Sequence, residues 1–149
     1  MKLNMAQKYY KGLSEKEKKE KKKNIKQSKK LYDAGKKKQA FKKASERPTI
    51  KSTKKSSYTT RFNKKFPDVK SPPSKSFADA TGIPIADQKT ILNRGKAAFA
   101  TSGSRSSVSS PTAWSVARTY AFYFKAIQGK EKINQDQDIY DKLKGKIKK

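Results

Sequence analysis

The chain has 149 residues, with 39 Lys+Arg against 12 Asp+Glu, a formal net charge of +27 and 32% hydrophobic residues, which is material for one small core at most. It has no Cys and no His, which excludes disulfides, zinc sites of the usual kind, Cys nucleophiles and Ser-His triads. A cation excess of this size repels itself in a compact state and calls for a polyanionic neighbour.

The charge is uneven. Residues 1–70 hold 25 basic and 6 acidic residues, net +19; residues 71–149 hold 14 and 6, net +8. No N-terminal apolar segment is long enough for a signal peptide or a membrane span, so the expected place of synthesis is a cytosolic-type compartment.

In chain order, the first predicted element is a charged helix over about residues 14–34. Ser14 followed by Glu17 reads as a capping box, Glu15, Glu17 and Glu20 sit at the positive end of the helix dipole, and Gly35 is placed to end it. Its apolar positions, Ile25, Leu31 and Tyr32, are too few for a well-buried face, so it needs a partner. Residues 36–73 read as an extended arm of Lys, Ser and Thr, broken by Pro48, Pro67, Pro72 and Pro73 and dotted with Phe41, Tyr58, Phe62 and Phe66. Those aromatics either stack on unpaired bases or plug pockets on a neighbouring protein; plain disorder is the third reading.

After Pro73 the composition changes. Ser76 is a candidate cap for a short helix over Phe77–Ala80; Gly82 ends it, and Pro84 opens a second helix carrying Ile85, Ile91 and Leu92. This is part of a helix-turn-helix outline, but Gln88 stands where a branched apolar residue belongs. Only Asp87, Gln88, Lys89 and Thr90 face a groove, so a structural helix pair is the stronger reading. Gly95 is expected to interrupt or end that helix. Ser110 and Pro111, as N-cap and first helical residue, open a strong helix running to about Gln128, on which Trp114, Ala117, Tyr120 and Phe124 form one core face together with Phe99. A last helix, Asn134 to Lys144, has its acids first and is anchored by Ile139, Tyr140 and Leu143. The expected fold is mainly α: a compact C-terminal bundle of three to five short helices over residues 74–149, with a long lysine-rich N-terminal arm over residues 1–73.

Arg105 in the glycine-serine loop and Arg118 on the long helix together form a candidate anion site, the alternative being that Arg118 pairs with an acid such as Asp79 or Asp136 to lock the fold. Lys18, Lys22, Lys29, Lys37, Lys42, Lys54 and Lys64 are further candidates for contact with an anion or partner. Asp136, Asp138 and Asp141 lack the ligand number and glycine turn of a Ca2+ loop and suit a helix N-terminus better. Residues 101–107, TSGSRSS, lack the glycine spacing and lysine of a phosphate loop. No catalytic pair, metal, cofactor or small-molecule substrate is expected.

Arg94-Gly95, Ala97-Ala98-Phe99, Ser102-Gly103-Ser104-Arg105, Ala113-Trp114, Ala117-Arg118 and Asp136-x-Asp138 resemble, in that order, a domain-of-unknown-function family of large double-stranded DNA viruses of eukaryotes, chlorovirus-like viruses and their relatives, and of some tailed phages. The likeness covers about Thr81 to Leu143, and the N-terminal YKGLSEKEKKEKK also resembles the start of some members; Ser106 departs from the family's proline. The resemblance implies a viral origin more than a mechanism. With it, the leading expectation is a minor capsid or cement protein on the inner side of an icosahedral virion, made in the host cytoplasm, its knob at a junction and its arm threaded between other capsid proteins. The alternative is a genome-packaging or chromatin-like protein whose lysines sit on nucleic-acid phosphates.

Overall fold

A computed structural model of the chain describes residues 10–48, 57–102, 110–128, 136–143 and 145–148. Among them are seven helices and no strand: α1 (Glu15–Asp33), α2 (Lys37–Ser45), α3 (Ser57–Lys65), α4 (Lys75–Thr81), α5 (Ile85–Ser102), α6 (Pro111–Ile127) and α7 (Gln137–Leu143).

Local signals set most of the helix ends. At α1 the capping box is formed on both sides: Glu17 N donates to Ser14 Oγ and Ser14 N to Glu17 Oε1, each at 3.1 Å. The helix closes in a Schellman arrangement, Gly35 at φ 82° with Gly35 N on Tyr32 O and Lys36 N on Leu31 O. α6 opens where Ser110 and Pro111 put it, Ala113 N donating to Ser110 Oγ. α4 is capped by Ser74 rather than Ser76; Ser74 Oγ accepts from Phe77 N, while Ser76 Oγ takes the N–H of Lys70.

The extended arm expected over 36–73 is corrected in its described part. Residues 37–45 and 57–65 are helical, because Lys, Gln and Ala favour a helix and each segment has a small apolar stripe to bury. On α2 that stripe is Ala40 and Ala44, both fully buried. On α3 it is Tyr58 and Phe62, continued four residues on by Phe66. α5 runs unbroken through Gly95, which is buried; the loss of about 1 kcal/mol that a mid-helix glycine brings is offset by tertiary packing.

The chain divides into two compact units, Met1–Thr53 with Gly95–Trp114, and Lys54–Arg94 with Ser115–Lys149. In the first, Ala40, Ala44, Phe99 and Ala100 form a small cluster flanked by Leu31, Tyr32, Phe41 and Trp114. In the second, Phe62, Phe77, Tyr120, Tyr123 and Phe124 make the aromatic centre, with Ile83, Ile91, Ile139 and Leu143 around it. The single core face expected on α6 is therefore two: Trp114 serves the first cluster, Tyr120 and Phe124 the second, and Ala113 is exposed.

Phe62 is the hub of the second unit. Its ring lies 4.5 Å from Tyr120, 5.0 Å from Phe66, 5.1 Å from Phe77 and 5.7 Å from Tyr123, in stacked, tilted and edge-on geometries. Gly82 holds the α4–α5 turn at φ 81°, and a Cβ there would lie 2.2 Å from Lys146 O, so the turn also admits the C-terminal segment. That segment is tied down by Lys148 N on Thr81 O and by Tyr123 Oη on Lys148 O. We expect Phe62→Ala to cost about 3–5 kcal/mol, the usual penalty for emptying a buried phenylalanine site. Urea unfolding of the full chain measures it, and an unchanged midpoint would remove Phe62 from the core.

Candidate functional site: a lysine face and two internal arginine centres

Successive residues of an α-helix are turned by about 100°, and on α1 this separates two faces. Lys21, Asn24 and Ser28 are buried, with Glu17, Ile25, Leu31 and Tyr32 half-buried beside them. On the opposite side Lys16, Lys19, Lys22, Lys23, Lys26, Lys29 and Lys30 are all exposed. These seven fill an arc of about 140° over an axial length of about 21 Å, and between Lys16 and Lys30 no other residue type falls on that arc. The acids lie elsewhere: Glu15 and Asp33 at the two ends, Glu17 in the cap, Glu20 at the margin.

The inner side of α1 is held by a buried arginine from the turn after α2. Arg47, 4% exposed, donates from Nε to Asn24 Oδ1 at 2.9 Å and from Nη2 to Ser28 Oγ at 3.0 Å and Ala100 O at 3.2 Å. Its guanidinium lies 4.7 Å over the Phe99 ring. Asn24 Nδ2 in turn donates to Lys43 O, so one amide ties α1 to α2 and to Arg47. Lys21 is 1% exposed, its ammonium 5.3 Å from the centre of the Tyr10 ring. Burial first, and repulsion from Arg47 second, pull its pKa down to about 8; burial likewise pushes the Tyr10 hydroxyl up.

The second unit has its own arginine centre. Asp136 is buried and receives Arg118 in a fork, Nε to Oδ2 at 3.0 Å and Nη2 to Oδ1 at 2.9 Å. Arg94 adds a contact to Asp136 Oδ1 at 3.3 Å and forks onto Asp138 with two bonds of 2.8 Å. Those bonds hold the Asp138 carboxyl down at about 2 and raise the Arg94 guanidinium further. Asp87, 7% exposed, pairs with Lys142 at 2.6 Å, and Gln88, fully buried, donates to Ile83 O and Ser74 O and accepts from Ser74 N. Two of the four residues that a helix-turn-helix would offer to a groove are thus internal, as the structural helix pair requires.

The expected site residues sort accordingly. Phe99, Tyr120 and Phe124 are buried; Trp114, 6.4 Å from the Phe99 ring, and Ala117 are half-buried. Of Phe41, Tyr58, Phe62 and Phe66, expected as arm anchors, Phe62 is buried and the other three are half-buried: Phe41 lies against Tyr32, Tyr58 against Phe124, and Phe66 against Phe62. Of the lysines, Lys22, Lys29, Lys37, Lys42 and Lys64 are exposed, and Lys18 is half-buried beside Glu15. Arg118 pairs with Asp136; Arg105 and Lys54 lie outside the described residues. Arg47, Lys21, Asn24 and Ser28 were missed, although Lys21, Asn24, Ser28 and Leu31 recur at helical spacing and mark the inner stripe of α1.

The model of a family of unknown function, DUF5824, matches residues 6–142. The chain belongs to that family. The match takes in the N-terminal helix as well as the stretch from Thr81 onward, and it spans both arginine centres of this family member. No curated protein and no solved structure matches the chain.

Two outcomes test the centres. Asp136→Asn leaves Arg118 facing a neutral amide in a buried place and should cost about 3 kcal/mol in a denaturant melt, whereas Asp138→Asn, at an exposed carboxylate, should cost a small fraction of that. For Lys21, the unfolded chain binds the proton below the ordinary lysine value of 10.5 and the folded chain only below about 8. Between those values the unfolded state holds more protons, so stability rises with pH. From pH 8 to 10 the native chain should gain about 1–2 kcal/mol relative to Lys21→Met, read from paired urea titrations.

Proposed function

We propose that this chain is a polyanion-binding protein that holds the phosphate backbone of nucleic acid on the exposed lysine face of α1, in the manner of a packaging or chromatin-like protein. One observation carries the reading: seven exposed lysines on one arc, with no acid among them, on a helix whose opposite side is buried. Such a face gains by releasing condensed counterions from the backbone, and it is stable as a helix because Arg47 and Asn24 hold its inner side. α2 adds exposed Lys37, Lys38 and Lys42 in the same unit.

The reading as a minor capsid protein, at a junction on the inner side of a virion, drew its contacts from Phe41, Tyr58, Phe62 and Phe66. With Phe62 buried and the other three rings half-buried against the clusters of their own units, it rests chiefly on the viral resemblance. A basic protein of a virus particle that sits on the genome satisfies both that resemblance and the lysine face.

Fluorescence anisotropy of the full chain on a labelled oligonucleotide tests the reading. At 50 mM salt, reversing Lys19, Lys23 and Lys26 to Glu should weaken binding by about tenfold or more and leave the thermal transition in place, since those side chains face solvent. Reversing Lys64, Lys75 and Lys89 makes the same change in net charge in the other unit and should weaken binding less. Equal losses would assign the attraction to net charge alone, and an affinity insensitive to salt would exclude a phosphate-backbone contact.

A further inference from the structure

We infer that the polyanion taken by the α1 face is double-stranded nucleic acid, gripped by its backbone without reading of sequence. This rests on the nucleic-acid reading above and narrows it from what the structure does with the residues that lysine leaves out.

Reading a base edge needs planar or forked donors and acceptors, chiefly Arg, Asn and Gln, while holding an unpaired strand needs rings for the bases to stack on. The α1 face offers neither. No Arg, Asn, Gln or aromatic residue lies on the lysine arc, and Asn24, on the opposite side, is committed to Arg47 and Lys43. The arginines of the described residues are engaged within the protein. Arg47 is buried under α1, Arg94 and Arg118 fork onto Asp138 and Asp136, and the Arg61 guanidinium lies 4.4 Å over the Phe124 ring. No aromatic side chain among the described residues is in the exposed class, and the half-buried Tyr32 and Phe41 on α1 and α2 face each other.

What remains on the arc itself is a row of point charges, with exposed Gln27 about 20° beyond its edge at Lys16. Lysine ammoniums carry no directional preference that would tell one base pair from another, so the face responds to the density of phosphates along its length. A duplex presents a charge about every 1.7 Å, twice the linear density of one of its strands, so about 21 Å of it carries about a dozen phosphates opposite seven lysines. A single strand offers fewer charges over the same length and gains nothing from stacking here.

The test uses the full chain with two 20-base-pair DNA duplexes of unrelated sequence, an RNA duplex, and the component single strands, titrated from 50 to 200 mM salt. The duplexes should agree within about threefold, with single strands about tenfold weaker; if five lysines engage, log–log salt slopes should be about −4.5 on DNA duplexes and about −3.5 on single strands. A single strand bound as tightly as its duplex overturns the inference while leaving the nucleic-acid reading in place, as does one DNA duplex preferred about tenfold over the other. Failure of the Lys19, Lys23 and Lys26 reversals to weaken any of these complexes would instead bring down the nucleic-acid reading itself.

Discussion

Self-repulsion at a net charge of +27 is the constraint on which every other feature of this chain depends. It is met by sorting the two kinds of cation. The lysines of α1 and α2 are turned to water, apart from Lys21 and the half-buried Lys18 and Lys43, while Arg47, Arg94 and Arg118 carry internal contacts. The physical reason lies in the head groups. An ammonium is compact and strongly hydrated, so burying it is costly; a guanidinium is planar, more weakly hydrated, and able to fork onto a carboxylate while its face lies on a ring. Arg118 shows the first use with Asp136, and Arg47 the second with Phe99. Lys21 is the exception, and its lowered pKa is the physical mark of the strain that burial and a nearby guanidinium impose.

The acids are few, and several of them have a structural task. Glu17 closes the α1 cap, Asp87 holds Lys142, and Asp136 joins Arg94 to Arg118. Asp136 is the most consequential of these, since it is buried at the start of α7 and receives guanidinium groups from both α5 and α6. Arg94, Arg118, Asp136 and Asp138 are therefore brought together as an ion network with a buried centre at Asp136 and an exposed edge at Asp138. The pairing of Arg118 with Asp136 is the lock that the sequence offered as the alternative to an anion site.

The legible parts of the fold were those with short-range grammar. Ser14 and Glu17, Gly35, Gly82, and Ser110 with Pro111 each act within a few residues, and each marks the helix boundary that the sequence implies. α2 was hidden by its lysines and α3 by Ser57, Thr59, Thr60 and Asn63, which are weak helix formers, so that Tyr58, Phe62 and Phe66 looked like scattered aromatics. Their spacing of four is the face of a helix. The continuation of α5 through Gly95 and the split of α6 between two clusters were beyond local reasoning, because tertiary burial decides both. For the candidate site, the abundance of lysine was plain in the sequence, but its confinement to one arc appears only once the inner stripe of Lys21, Asn24 and Ser28 is known to be buried.

On the proposed reading, repeated lysines would carry the binding while the most specific-looking residues hold the fold. An attraction built on counterion release depends on how many ammoniums stand within reach of the backbone, not on any one of them meeting a particular atom. The lysines can therefore be flexible and interchangeable, which suits long side chains that lose much rotamer entropy if fixed. The supporting side has the opposite requirement. Asn24, Ser28 and Arg47 must meet at hydrogen-bond distance, because a guanidinium buried at 4% exposure tolerates no loss of partners. A loose outer face on a tightly specified inner one gives a helix that stays formed against its own charge, and on the proposed reading such a face would suit many phosphate geometries.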